Sequence, residues 1–213
     1  MKFPSIGDIA SSNVISIDIN KSVNDAIEKM IHSNHRDIVV IDAENYYILA
    51  ALDIIHINKQ NISMDTSLID IELVKIPVVD KDTNILNIVE YLEEKTEYMC
   101  VKNRDGTLYG VVTHTDITSN IDPEILMDNY TVDDFLKLTR RIKWIDEDTV
   151  TDEALSDMAE DLLDSVVIVK DFKPIGILTT KDVVGLIKDR VDLKLSVKEY
   201  MTSPVDCVNK SIS

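Results

Sequence analysis

Two segments of the sequence place a glycine, a threonine and an aspartate at the same spacing. An ionised carboxylate accepts hydrogen bonds from two adjacent O–H donors, and a glycine lets a backbone come close to a bound molecule. The pattern therefore indicates two candidate ligand sites. They consist of Gly110, Thr113 and Asp116, and of Gly176, Thr179 and Asp182.

The same residues also have a purely structural interpretation. An aspartate at the start of a helix stabilises the helix dipole, so Asp116 and Asp182 would serve as caps even without a ligand. A third copy of the pattern is degenerate, because Tyr47 and Ala50 replace the glycine and the threonine ahead of Asp53. Ala50 has no polar side chain, so we predict that this pocket is empty or altered and that Asp53 is a cap.

The sequence offers no constellation typical of catalysis. The histidines His32, His35, His56 and His114 are too scattered to form a convincing metal-ligand set, and His32 and His35 fit a helix end as well as a metal pair. No serine or cysteine stands in a nucleophile signature, and no phosphate-binding P-loop is present. We therefore predict that the chain is not an enzyme and holds no metal.

The candidate sites recur with the elements that must position them. Their aspartates return at intervals of about 65 residues, the size of one βαββα unit. Ser22, Thr83 and Thr149 each precede a helical pattern and are predicted to cap it. Short aliphatic strands follow each helix, and the stretch 74–79 is predicted as the first strand of the second unit. The fold class is α/β (α+β), with tandem βαββα units.

This pattern resembles the CBS domain family, whose repeats pair through their sheets into Bateman modules. The resemblance rests on the segments Gly110–Asp116 and Gly176–Asp182 and on the opening Met201-Thr202-Ser203-Pro204. We predict repeats at residues 1–60, 61–125 and 126–192, and a truncated fourth that starts at 193–213. The chain is then expected to be an N-terminal fragment, with an effector domain possible beyond residue 213.

The resemblance implies a regulatory module that senses an adenosyl ligand such as AMP, ADP, ATP or S-adenosylmethionine, with no covalent cofactor. It implies that the aspartate binds ribose hydroxyls and that the threonine contacts ribose or phosphate. Lys181 and His114 are candidates for phosphate contacts, although a solvated lysine is the commoner outcome. Tyr98 would stack on a base or pack in the core. A homodimer is expected, and the alternative function is a ligand-free structural or dimerisation scaffold.

Composition narrows the classes of partner. The net charge of −17 opposes binding to nucleic acid or anionic membranes across the surface, although a local pocket can still bind a small anion. The N-terminus has no apolar signal region and no stretch is long enough to span a membrane. Cys100 and Cys207 are expected to be buried thiols in a reducing, cytoplasmic environment.

Overall fold

A computed structural model describes residues 5–84, 98–113, 116 and 143–207. Several predicted features lie outside the described residues. These are His114, the second-repeat helix around Ile88 and Leu92, the opening of the third repeat at 133–136 and the end of the chain from residue 208.

The described strands form one four-stranded sheet and two three-stranded sheets. In each sheet the first strand of a repeat runs parallel to the second, as strands joined by a long crossover connection do. The strand orders are β1-β2-β3-β4, β5-β6-β7 and β10-β9-β8. The strands are β1 Ser16–Asp18, β2 Asp37–Asp42, β3 Asn45–Ala50, β4 Val74–Lys75, β5 Val78–Asp80, β6 Tyr98–Lys102, β7 Leu108–Thr113, β8 Trp144–Asp146, β9 Ser165–Lys170 and β10 Lys173–Thr179.

The predicted first strand of the second repeat is wrong in one respect. Residues 74–79 do not form one strand but divide between two sheets, because β4 pairs with β3 and β5 pairs with β6. Pro77 stands between the two strands and has no N–H for a continuous ladder. The stretch thus connects the sheet of the first repeat to that of the second.

The described helices follow the predicted four-residue apolar spacing. In α2 the buried positions are Val23, Ala26, Ile27 and Met30, which lie on one face. The helices are α1 Ile6–Ile9, α2 Val23–Ser33, α3 Ala51–Lys59, α4 Thr151–Glu160 and α5 Thr180–Lys188.

The prediction that Thr149 caps α4 is wrong. The N-cap of this helix is Val150, which makes no side-chain capping bond. The hydroxyl of Thr151 donates instead to the carbonyl of Leu195 at 2.8 Å, and the backbone N–H of Thr151 donates to the same residue. The segment after α5 therefore satisfies donors at the start of α4, and a hydroxyl cap is not needed.

The chain divides into two compact units that do not follow the sequence repeats. The first comprises Met1–Ser22, Asp37–Leu49 and Ser67–Leu126, and the second comprises Val23–Arg36, Ala50–Thr66 and Met127–Ser213. The strands of the first repeat thus belong to the first unit, whereas its helices α2 and α3 belong to the second.

In the first unit the sheets of repeats one and two share an apolar core. Val39, Tyr46 and Ile48 from the first repeat pack with Ile76 and Cys100 from the second, and all five are buried. This confirms that the repeats pair through their sheets. A second cluster joins α1 to strands β6 and β7.

In the second unit the helices of repeat one pack against those of repeat three. Helices α2 and α3 both contact α5, and α3 also contacts α4. The ion pairs beside these contacts, Arg36–Asp164 at 3.0 Å and Lys188–Glu28 at 3.5 Å, are largely exposed to solvent and contribute little. The apolar residues on the helix faces therefore hold this contact.

The glycines of the two complete motifs lie under neighbouring backbone. Ser11 pairs with Val111 in the first unit, and a Cβ added at Gly110 would stand 2.8 Å from the carbonyl oxygen of Ser11. In the second unit Thr202 pairs with Ile177, and a Cβ at Gly176 would stand 2.3 Å from the sulfur of Met201. Close packing of these segments is by itself a sufficient reason for glycine.

We expect Gly110→Ala to lower the free energy of unfolding by about 1–3 kcal/mol, because the Ser11 backbone must shift to admit a methyl group. Urea denaturation measures this change. Gly185→Ala is the matched control, since a Cβ there meets nothing within 4 Å. Within helix α5 alanine should raise stability by up to about 1 kcal/mol. Equal effects of the two substitutions would contradict the packing explanation.

Candidate functional site

In the third repeat the threonine and the aspartate of the motif hydrogen-bond to each other. Asp182 Oδ2 accepts from the backbone N–H of Thr179 at 2.9 Å and from its hydroxyl at 2.6 Å. The N–H of Asp182 donates to Thr179 Oγ1 at 3.3 Å, which completes a capping box at the start of α5. Within the part of the chain that the structure describes, Asp182 Oδ1 makes no hydrogen bond.

The second repeat has the same box but a different second oxygen. Asp116 Oδ2 accepts from the N–H and the hydroxyl of Thr113 at 2.7 and 2.8 Å. Asp116 Oδ1 accepts from the hydroxyl of Ser11 at 3.2 Å. Both carboxylate oxygens are therefore engaged with protein donors.

Of this motif, the first repeat keeps only the aspartate and the hydrogen bond that a backbone N–H donates to it. Asp53 Oδ2 accepts from the N–H of Ala50 at 2.7 Å, and Ala50 supplies no hydroxyl. Burial raises the pKa of Asp53, while the Ala50 N–H and the neighbouring His56 oppose that rise. This geometry fits the predicted role of Asp53 as a cap.

A cleft of about 320 Å³ opens beside Asp182 in the second unit. One wall is the first half of α5, with Lys181, Asp182, Val184 and Gly185. The other wall is the end of α2 and the turn after it, with Met30, Ile31, Asn34 and His35. The cleft therefore joins two predicted site residues to a segment from a different repeat.

Two nitrogen-bearing side chains, Lys181 and His35, border this cleft on opposite walls. Lys181 is exposed at its rim, and His35 is half-buried on the opposite wall. His35 Nδ1 lies 2.8 Å from the carbonyl oxygen of Ser33 and is placed to donate to it, which leaves Nε2 for another partner. His35 was not predicted as a site residue, because no local feature of the sequence indicates that α2 meets α5.

Tyr98 packs against the core, which is one of the two environments predicted for it. Its hydroxyl donates to Asp37 Oδ2 at 2.8 Å, and its ring packs against the core shared by the two sheets. It also pairs with Thr113 across β6 and β7. These contacts give Tyr98 a structural role in the first unit.

Two of the three acidic side chains at residues 146–148 pair with lysines. Glu147 pairs with Lys170 at 2.6 Å and Asp148 with Lys198 at 2.6 Å. Among the described residues no group of three or more histidine, cysteine or acidic side chains is arranged to hold a metal ion.

The two thiols differ in exposure. Cys100 is buried, and burial raises its pKa to about 12. Cys207 is exposed, so the expectation that both thiols are buried is wrong for this residue. Cys207 follows the last described pairing of its segment, at Thr202, and no described strand covers it.

Comparison with known families agrees with the repeated geometry. The model of the CBS domain matches residues 6–56, 64–122 and 132–189, which together make up most of the chain. The chain belongs to the CBS domain family. Each match lies within one of the three predicted full repeats, while the exact boundaries of those repeats stay a prediction. Tandem CBS repeats are typical of regulatory rather than catalytic parts of proteins.

One solved structure shares this fold over most of its length. Protein MJ1225 from Methanocaldococcus jannaschii, which is proposed to be an archaeal homolog of g-AMPK, is 14% identical, with a TM-score of 0.78. The match covers 97% of this chain and 85% of that one. The CBS domain protein TA0289 from Thermoplasma acidophilum is 25% identical over 61% of this chain and 80% of its own, with a TM-score of 0.48.

No curated protein sequence matches the chain. In the described part of the chain, no helix combines the length and the apolar character needed to cross a membrane.

We expect Asp53→Asn to keep or raise stability at neutral pH, because the amide oxygen still accepts from Ala50 and no charge is buried. Since the folded pKa of Asp53 is raised, the cost of its charge is present at neutral pH and falls as the pH drops through that pKa. The advantage of asparagine should therefore shrink on acidification. Asp53→Ala should lower the free energy of unfolding by about 1 kcal/mol both at neutral pH and after acidification. Urea titrations under the two conditions measure these changes. An asparagine variant as unstable as the alanine variant would contradict this account.

Proposed function

We propose that the chain is a regulatory module that binds an adenine nucleotide or a related adenosyl compound in the cleft beside Asp182. One observation carries the proposal. Asp182 Oδ1 has no described protein donor, and Asp182 lines a cleft that Lys181 and His35 also line. The corresponding oxygen of Asp116 is engaged by Ser11.

The chemistry of the cleft suits a sugar phosphate. The Asp182 carboxylate can accept from vicinal hydroxyls while its other oxygen keeps the cap. Lys181 and the start of α5 supply positive potential for a phosphate within a chain of net charge −17. Met30 and Ile31 offer apolar surface to a base. The adenosyl identity rests on the CBS resemblance.

The walls of the cleft suggest how binding would regulate. One wall belongs to repeat one and the other to repeat three, so a bound ligand would contact both repeats at once. A ligand shifts such a contact only as far as it prefers one arrangement of α2 and α5 over another. We propose that this shift is passed to an effector region.

Specific observations favour a scaffold role for the first unit. Both oxygens of Asp116, the motif aspartate of this unit, are bound by protein donors. Tyr98 and Asp37 also join the two sheets by a hydrogen bond. We propose that this unit is mainly structural and that sensing takes place in the second unit.

The oligomeric state and the fourth repeat remain proposals as well. We propose a homodimer, as the CBS resemblance predicts. The segment at 193–213 is proposed to open a fourth repeat, because its turn Val197–Glu199 and the pairing of Thr202 match Leu68–Asp70 and the pairing of Val74 before repeat two.

Isothermal titration calorimetry with AMP, ADP, ATP and S-adenosylmethionine tests the ligand. We expect saturable binding of at least one of them. Asp182→Asn should weaken it at least about tenfold, since the amide NH2 group that replaces Oδ1 cannot accept a hydrogen bond from the diol. Asparagine keeps an oxygen for the Thr179 N–H, so the helix cap survives. Asp116→Asn is the matched control and should change affinity little.

A second pair of variants separates a phosphate contact from general charge. Lys181→Ala should weaken the binding of a phosphorylated ligand. Lys194→Ala removes an exposed lysine outside the cleft and should leave that binding unchanged. Absence of heat at millimolar concentrations of all four compounds would overturn sensing and leave the scaffold function. Binding that is lost in Asp116→Asn and kept in Asp182→Asn would place the site in the first unit.

A further inference from the structure

Gly185 lies in the interior of helix α5, where glycine is one of the least favourable residues because it has the most backbone freedom to lose. Two structural reasons commonly account for a glycine, namely a left-handed backbone or the close approach of another segment. Neither applies at this position. The φ of Gly185 is not positive, and a Cβ built on it meets no neighbouring atom within 4 Å. The packing of the helix therefore does not explain this glycine.

Gly185 lines the cleft beside Asp182. Residues three apart lie on the same face of a helix and about 4.5 Å apart along its axis, so Gly185 follows Asp182 by nearly one turn. The opposite wall of the cleft includes Met30 and Ile31 from α2. Ile31 is 42% exposed although its side chain is large and apolar. The missing side chain of Gly185 thus leaves open space between Asp182 and an apolar surface.

The volume of the cleft makes this space important. Sites for small molecules commonly have volumes of about 300–1,000 Å³. The cleft, at about 320 Å³, lies at the lower end of that range. One added side chain would therefore take up a large share of the room that a ligand needs.

Repeat one carries a large side chain at the equivalent position. Helices α3 and α5 each begin two residues before the motif aspartate, and three residues after that aspartate stand His56 and Gly185 respectively. Burial raises the pKa of Asp53, and His56 is close enough to oppose that rise. The position in repeat two, Ser119, lies outside the described residues. In the two described copies, the position is filled where the motif is degenerate and open where the motif is complete.

We propose that Gly185 determines which ligands fit the cleft, because it leaves room for the planar base of an adenosyl compound between α5 and α2. This inference rests on the function proposed above. In this arrangement Asp182 holds the sugar diol, and the base lies one helical turn further along α5 and against Ile31. A larger residue at position 185 would stabilise the helix and occupy the place of the base. Such a conflict between stability and function is common at binding sites.

Isothermal titration calorimetry with AMP and with ribose 5-phosphate tests this arrangement. Gly185→Leu should weaken AMP binding at least about tenfold, because the leucine side chain occupies the space of the base. Ribose 5-phosphate has the diol and the phosphate but no base, so Gly185→Leu should leave its affinity unchanged. Gly185→Ala should weaken AMP binding to a smaller extent. ADP, ATP or S-adenosylmethionine replaces AMP in these titrations if it binds the unmodified chain more tightly.

His56→Leu is the matched control, because it places the same side chain at the equivalent position of repeat one. His56 is exposed and does not line the cleft, so this variant should bind AMP like the unmodified chain. Urea denaturation checks the fold, and Gly185→Leu should be at least as stable as the unmodified chain, since leucine is the better helix former. If Gly185→Leu does not fold, Gly185→Ala decides the question, because a Cβ has free space there.

The outcomes separate this inference from the proposed function. Failure of the unmodified chain to bind any of these compounds overturns both. A ligand that is lost in Asp182→Asn but binds Gly185→Leu with unchanged affinity overturns only the role of Gly185. Loss of ribose 5-phosphate together with AMP in Gly185→Leu also overturns that role, because the open space would then hold the sugar phosphate and not the base.

Discussion

A carboxylate three residues into a helix ties that helix to the strand before it, and this bond recurs in every repeat that the structure describes. Asp53, Asp116 and Asp182 accept from the backbone N–H of residues 50, 113 and 179 at 2.7, 2.7 and 2.9 Å. The bond satisfies a donor at the helix start, where the helix itself offers no acceptor. It also fixes the point at which the last strand ends and the helix that borders the cleft begins.

The candidate sites differ in what remains once this bond is made. A carboxylate has two oxygens, and the cap occupies one of them. The second oxygen of Asp116 receives the Ser11 hydroxyl, whereas no described protein donor reaches that of Asp182. The capacity of each repeat to bind a diol therefore depends on its neighbours as much as on its own motif.

The local parts of this structure could be predicted from the sequence. The spacing of glycine, threonine and aspartate predicted the cap residues, and the aliphatic runs predicted β2, β6 and β9. Features that depend on distant packing could not be predicted. His35 borders the cleft only because α2 meets α5, more than a hundred residues later. The opposite exposures of Cys100 and Cys207 depend likewise on which sheet covers each strand.

Local chemistry also misled at particular positions. Thr149 has the right side chain for a cap, yet the segment at Leu195 takes over the donors of α4. Pro77 divides a stretch for which the hydrophobic pattern alone predicts one strand. At Thr149 a long-range contact supplies what the residue type suggested was local, whereas at Pro77 the missing N–H interrupts the strand.

In each motif aspartate one oxygen forms the helix cap and the other is left for a further donor. This difference in role bears on how such repeats diverge. Ala50 shows that the hydroxyl of the motif can be lost while the aspartate keeps its backbone bond and the helix still begins at the same place. The aspartate therefore stabilises the fold of a copy whether or not that copy binds a ligand. Duplicated repeats can drift apart in ligand preference one position at a time, and a surviving aspartate is by itself poor evidence of a working site.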